Sequence, residues 1–152
     1  MPSEYTIAAA TVADLADVSK AFDAYRQFYR QPPDLEGAMA FIRDRLTQAS
    51  SRILVARNSE NSLAGFTQVY PSFSSVRMQP IWILNDLFVY PDYRRQGVAR
   101  VLMEAARTLG HSHGVASLVL ATETTNAAAQ SLYRSLDYVP DKQFVHFQLS
   151  LQ

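Results

Sequence analysis

The chain has 152 residues, 48% of them apolar, with 14 basic against 14 acidic side chains and no cysteine. That size suits one hydrophobic core, and about 70% of the unfolded surface can be buried without a disulfide framework or a structural metal. Zero cysteine excludes thiolate zinc sites, iron–sulfur clusters, thiol redox chemistry and cysteine-linked acyl intermediates, and zero net charge offers no extended basic face to a nucleic acid.

Tyr5 to Ala9 reads as a first strand, after which Thr11 and Asp14 form a capping-box start. A helix follows to about Arg30, because Leu15, Val18, Phe22, Tyr25, Phe28 and Tyr29 recur at steps of three and four. The Pro32-Pro33 pair ends it, and Asp34 caps a second helix carrying Leu35, Ala38, Met39, Ile42 and Leu46 on one face. Ile53 to Ala56, Leu63 to Tyr70 and Ile81 to Tyr90 are rich in β-branched and aromatic residues, and the breaks at Asn58–Asn61 and Ser72–Ser75 predict an antiparallel meander. From Pro91 the period changes: Val98, Val101, Leu102, Ala105 and Leu109 predict a helix that stops at Gly110. A buried strand at Ser117 to Thr122, a short helix from Asn126 to about Ser135, and strands at Tyr138–Val139 and Phe144 to Leu151 close the chain. The order is that of an α+β domain around one mixed sheet flanked by helices. No repeat, linker or low-complexity stretch divides residues 1–152, which read as a single domain. Without an 18-residue apolar run or a signal-like start, the expected setting is cytoplasmic, with no membrane partner.

The stretch from Leu87 through Pro91 to Arg100 carries chemistry. A strand ends at a proline turn and delivers Gly97 into a helix start, where the first backbone N–H groups lack internal partners and sit at the positive end of the helix dipole. Such a start receives phosphate oxygens. Gly97 permits close approach, Ala99 keeps the first turn open, and Arg94, Arg95 and Arg100 add positive charge. A P-loop needs a second glycine followed by Lys-Ser/Thr, and a dinucleotide fingerprint needs three glycines; neither is here.

Arg94-x-x-Gly97-x-Ala99, after Asp86-Leu87-Phe88-Val89-x-Pro91, resembles the (Gln/Arg)-x-x-Gly-x-(Gly/Ala) pyrophosphate loop of the GNAT superfamily of N-acetyltransferases. The run Asn126-Ala127-Ala128-Ala129-Gln130-Ser131-Leu132-Tyr133-Arg134-Ser135-Leu136-Asp137-Tyr138 resembles that family's Asn-x-x-Ala-x-x-Leu-Tyr-x-x-x-Gly-Phe segment. The resemblance implies the single-domain acyl-CoA N-acyltransferase fold and acetyl-CoA as co-substrate. It implies that the fourth strand splays from the fifth and that Leu87, Phe88 and Val89 offer backbone groups to the pantetheine arm. The pyrophosphate then rests on the segment Arg94, Arg95, Gln96, Gly97, Val98, Ala99 and Arg100. Asn126 caps the short helix and holds the cofactor arm, and Tyr133 is the general acid for the leaving thiolate, against the alternative of an ordinary core tyrosine. Asp137 departs from the family's glycine, a position that favours the left-handed region, which Asp tolerates better than most residues.

The acceptor side is read from a looser likeness. Leu84-Asn85-Asp86-Leu87-Phe88-Val89 resembles the Leu-Glu-Asp-Phe-Phe-Val run of spermidine/spermine (diamine) acetyltransferases, with Asp86 matched and Asn85 in place of the glutamate. Freeing an amine of ordinary pKa at pH 7 costs roughly 4.6 kcal/mol, so a base or water should take its proton. An amide cannot, which leaves Asp86, Glu123 or ordered water. The aromatic first helix, Phe22 to Tyr29, weakly resembles that of diamine and fungal histone/polyamine-type enzymes, making Tyr25 and Tyr29 candidate acceptor contacts beside Asn85 and Glu123. His111 and His113 at a helix end are not read as metal ligands, and no serine-nucleophile elbow exists. The expectation is direct acetyl transfer to a small-molecule primary amine, with a peptide acceptor or a non-catalytic CoA-binding regulatory domain as rivals, and a homodimer formed through the closing strand.

Overall fold

The computed structural model describes residues 4–152. The chain divides into two compact units, one ending at Leu120 and one spanning Ala121–Gln152. In the first, β1 (Thr6–Ala9) leads through a 3₁₀ turn at Val12–Asp14 into α1 (Leu15–Phe28) and α2 (Leu35–Gln48). Then come β2 (Arg52–Arg57), β3 (Leu63–Ser74), β4 (Gln79–Val89), a 3₁₀ turn at Pro91–Tyr93, α3 (Val98–Ser112) and β5 (Leu118–Val119). The caps read from the sequence form: the Thr11 N–H donates to Asp14 Oδ2 at 2.8 Å, and Asp34 Oδ1 accepts from the Gly37 N–H at 2.9 Å.

The five strands lie in the order β1-β2-β3-β4-β5, antiparallel except for the parallel β4–β5 pair, so the sheet is mixed as expected. Side chains alternate along each strand, and the core follows that alternation. Ile53, Val55, Phe66 and Phe88 pack with Val18 and Ala21 of α1 and Ile42 of α2. Leu54 and Ala56 point the opposite way, toward the face covered by α3, whose buried stripe is Val98, Leu102, Met103, Ala106 and Gly110. Arg57 ties β2 to the start of α1 by ion pairs to Asp14 and Asp17 at 2.9 and 3.0 Å.

Three expectations are corrected. The predicted break at Ser72–Ser75 is mostly ladder, with Phe73 opposite Pro80 and Ser74 opposite Gln79, and the turn is tight at Ser75–Met78. The fifth strand shrinks from Ser117–Thr122 to Leu118–Val119, and the ladder to β4 does not continue past Val119. In the second unit, α4 (Ala127–Ser135) forms, but the closing strands do not: residues 139–152 hold no helix or strand. The Asp141 carboxylate accepts the Gln143 and Phe144 N–H groups at 2.9 and 3.2 Å, a local turn that takes up donors a ladder would need. Among the described residues no helix is long and apolar enough to cross a membrane.

Gly65 of β3 packs its Cα face directly against the backbone of β4. A Cβ there would run into the Phe88 carbonyl oxygen and stand 3.1 Å from Val89 Cα, both backbone atoms that cannot rotate away. Gly65→Ala is therefore expected to destabilise the protein by about 3 kcal/mol and lower Tm by roughly 5–10 °C. A calorimetric scan matching the parent would contradict this packing.

Candidate functional site

The parallel ladder between β4 and β5 holds Trp82↔Leu118 and Ile83↔Val119, and among the described residues no strand pairs with that side of β4 from Leu84 to Val89. The Tyr90 N–H donates to the Ala64 carbonyl at 2.9 Å, and two residues back Phe88 faces Phe66. Peptide groups alternate along an antiparallel strand, so those of Phe88 turn toward β3 and those of Leu87 and Val89 face the open edge. Of the three residues expected to serve an extended ligand, two offer backbone groups and Phe88 contributes its buried ring.

The chain leaves that edge through Tyr90 and the 3₁₀ turn, and its path to α3 is left-handed twice, with φ 62° at Arg95 and 81° at Gly97. Gly97 is the N-cap, and a Cβ on it would meet nothing within 4 Å, so the space in front of the helix is open. The helical ladder begins with the Val101 N–H donating to the Gly97 carbonyl at 3.1 Å, which leaves the amides of Val98, Ala99 and Arg100 outside it. Turns that bring successive N–H groups together make an anion cradle, and the helix dipole adds to it.

Side chains brace this loop. Arg94 Nε donates to the Val89 carbonyl at 2.9 Å, and its guanidinium carbon lies 5.7 and 5.8 Å from the Phe28 and Phe88 ring centres. Arg94 thus ties the loop to β4 and α1 as well as adding charge. Gln96 Nε2 donates to the Asp92 carbonyl at 3.2 Å, and Gln96 Oε1 accepts a hydrogen bond from the Tyr5 hydroxyl. Arg95 and Arg100 are exposed beside the cradle. The Tyr5 and Tyr93 rings meet edge to face at 6.3 Å. Neither tyrosine was singled out in the sequence, because their partners lie far along the chain.

At the middle of β4 the register slips: Gln68 faces Asp86 but Val69 faces Leu84, so Asn85 is the extra residue of a β-bulge. Asp86 is 1% exposed. Its Oδ2 accepts from Gln68 Nε2 at 2.6 Å, its Oδ1 from Asn85 Nδ2 at 2.7 Å, and its backbone carbonyl from Thr67 Oγ1 at 2.8 Å. Burial raises the Asp86 pKa above the usual carboxylate range, and the two amide donors only partly oppose that. Asn85 is exposed, and its carbonyl accepts from the Tyr25 hydroxyl at 3.1 Å. The Tyr25 ring lies 5.1 Å from Tyr29 and 6.5 Å from Phe88, so the structure brings Tyr25, Tyr29, Asn85 and Asp86 to one place. Nearby Tyr70 is pushed up to about 12 by burial and by the charge of Asp86, against the opposing pull of Arg45.

In the second unit, Asn126 caps α4, its side chain accepting from the Ala129 N–H at 3.1 Å. Tyr133 sits on the last turn, its ring 6.0 Å from that of Tyr138. The Glu123 backbone carbonyl accepts from the Asn126 N–H at 3.0 Å. Asp137 has φ 71°, the left-handed conformation expected where the family has glycine.

An open strand edge running into an anion cradle suits a ligand with an amide-bearing arm and a pyrophosphate, and the bulge places polar groups partway along that edge. Residues 18–138 match the sequence model of the acetyltransferase (GNAT) family. An uncharacterized N-acetyltransferase, YhfO, of Bacillus subtilis (strain 168) is 44% identical over 142 residues, covering 93% of this chain and 95% of its own length. A streptothricin acetyltransferase of Streptomyces lavendulae is 33% identical over 90 residues, 59% of this chain and 46% of its own. The crystal structure of a probable acetyltransferase superposes with a TM-score of 0.92 at 33% identity, covering 97% of this chain and 98% of that one.

Proposed function

The chain belongs to the acetyltransferase (GNAT) family, and from that premise we propose that it transfers the acetyl group of acetyl-CoA directly to the primary amine of a small molecule. It is an N-acetyltransferase, and members of its family use acetyl-CoA. The observation that carries the co-substrate's placement is the open β4 edge leading into the left-handed Gly97 at the α3 start. The pyrophosphate would take the amides of Val98 to Arg100, with Arg95 and Arg100 beside it, and the pantetheine arm would pair with the outward groups of Leu87 and the N–H of Val89, whose carbonyl accepts from Arg94.

In the proposed reaction the neutral amine nitrogen attacks the thioester carbonyl carbon. Charge develops on the carbonyl oxygen, and a β4 N–H stabilises it. As the carbon–sulfur bond breaks, the Tyr133 hydroxyl gives its proton to the sulfur, and the proton lost from the amine passes to solvent. Asn126 holds the cofactor arm. Tyr25, Tyr29, Asn85 and Asp86 belong to the acceptor end. The reading sets the enzyme in the cytoplasm, which supplies acetyl-CoA.

Thiol release from acetyl-CoA, measured across polyamines, amino acids, aminoglycosides and a peptide, tests the acceptor. Turnover with one or more small amines, and none with the peptide, is the expected pattern. Turnover with the peptide alone would move the function to protein acetylation. Binding of acetyl-CoA with no acceptor turned over would mark a regulatory domain.

The reading extends to a homodimer. Val145, Phe147, Leu149 and Leu151 alternate along the last residues and are 79–94% exposed, in a segment that carries no ladder. A segment of that pattern can be paired and covered by the sheet edge of a second copy. Light scattering on a sizing column should give a dimer mass for the wild type and a monomer mass for a Phe147→Lys, Leu149→Lys variant. A monomeric wild type would contradict the dimer.

A further inference from the structure

The polar groups around the β4 bulge form a chain of donors and acceptors that converges on the Asp86 carboxylate from both sides. Ser51 Oγ donates to Gln68 Oε1 at 2.6 Å, Gln68 Nε2 to Asp86 Oδ2 at 2.6 Å, and Asn85 Nδ2 to Asp86 Oδ1 at 2.7 Å. Gln68 is 0% exposed and Asp86 1%, so each link that is not made would leave a buried polar group unsatisfied. Consecutive residues of a regular strand point to opposite faces. The bulge at Asn85 lets its side chain turn back to that of its neighbour.

The direction of the chain fixes an amide. Gln68 must present Oε1 to Ser51 and Nε2 to Asp86, and Asn85 must present Nδ2 to Asp86. With its nitrogen held by the carboxylate and its backbone carbonyl taken by Tyr25, Asn85 has Oδ1 on the exposed side of the bulge. That oxygen is an acceptor only, suited to the N–H of an incoming amine and unable to remove its proton. Asp86 is equally unsuited to removing it. It is 1% exposed, and both its oxygens already accept amide N–H groups, so the carboxylate is withdrawn from an incoming amine.

We propose that Asp86, with Gln68 and Ser51 behind it, is a positioning residue that locks the Asn85 amide so that Asn85 Oδ1 orients the acceptor amine for attack. The proposal rests on the acetyltransferase reading and sharpens it: the acceptor is recognised as a hydrogen-bond donor at Asn85, and its proton leaves to solvent.

Exchanging the charged and the amide members separates this role from that of a base. Asp86→Asn alone puts an amide donor against an amide donor and should lower kcat/KM for the amine by about tenfold or more, the worth of a lost buried hydrogen bond, with KM for acetyl-CoA unchanged. The double variant Gln68→Glu, Asp86→Asn keeps every link while removing the carboxylate from position 86: the middle link reverses, with the amide at 86 donating to the carboxylate at 68, and the Ser51 and Asn85 links keep their directions. It should recover kcat/KM to within about threefold of wild type, with the wild-type pH profile. A double variant as slow as Asp86→Asn, or one that has lost an ionisation from its pH profile, would overturn the proposal and make Asp86 the base. Because buried exchanges can fail to fold, Asn85→Ala at the exposed end gives a second measurement: KM for the amine should rise about tenfold while that for acetyl-CoA stays put. An unchanged amine KM would overturn it as well. Wild-type protein that neither binds nor turns over acetyl-CoA would instead remove the acetyltransferase reading, and the positioning role with it.

Discussion

Gly97→Glu is expected to abolish acetyl-CoA binding while leaving the protein folded. At φ 81° a residue with a Cβ is strained by about 1–2 kcal/mol. A carboxylate at a helix N-terminus recovers some of that, roughly 0.3–1 kcal/mol, through the dipole. Nothing lies within 4 Å of the new Cβ, so no core contact is disturbed. The binding cost is larger. The carboxylate occupies the opening where phosphate oxygens would approach, and two like charges about 4 Å apart at an effective dielectric of 20 repel by about 4 kcal/mol. That corresponds to roughly a thousandfold in Kd, before counting the amides the new side chain would itself engage. Isothermal titration should show heat of binding for wild type and none for Gly97→Glu, with matching circular dichroism. Gly97→Ala, which adds the strain without the charge, should keep measurable binding. Equal affinity of wild type and Gly97→Glu would rule out the α3 start as the pyrophosphate site.

The second large effect is expected at Tyr133. Removing a general acid typically costs 10²–10⁴ in rate. A thiol of ordinary pKa, about 8.5, leaves as thiolate with modest help, so Tyr133→Phe should fall near the lower end, about a hundredfold in kcat. Kd for acetyl-CoA should change by less than about twofold, because only a hydroxyl is lost. A hydroxyl acting in the transition state alone lowers kcat and kcat/KM together. Unchanged kcat would return Tyr133 to the role of a tyrosine packed beside Tyr138, whose ring is 6.0 Å away.

Legibility in this chain follows the range of the interaction. The α3 start is readable because proline, glycine and helical periodicity act within a dozen residues; Gly97 stands at φ 81°, and Asp137 at φ 71° stands in the left-handed region expected for it. The caps at Thr11–Asp14 and Asp34 are equally local. The closing strand was overread, because alternation in Phe144 to Leu151 states a willingness to pair and says nothing of a partner. The bulge was invisible for a related reason. Whether Asn85 is opposed or extra depends on register across β3, and no residue of β4 encodes that alone. One signal was available: Thr67-Gln68 interrupts an otherwise apolar buried strand, and a buried polar pair must find partners. Arg94, read as a phosphate-facing charge, also serves as a strut because Phe28, distant in sequence, and the nearby Val89 carbonyl come within its reach.

The absence of cysteine also bears on the order of events, since it favours a ternary complex in which amine and thioester meet directly. Direct transfer predicts that no acetyl group resides on the protein at any stage. Following free thiol, N-acetylated amine and protein-bound acetyl together, after acetyl-CoA and an acceptor amine are mixed with the enzyme, distinguishes direct transfer from an acetyl-enzyme. Thiol and acetyl-amine appearing in equal amounts, with no acetylated protein before or during turnover, is the predicted result. Thiol released without acetyl-amine, or an acetylated protein that forms first and is consumed by the amine, would contradict it.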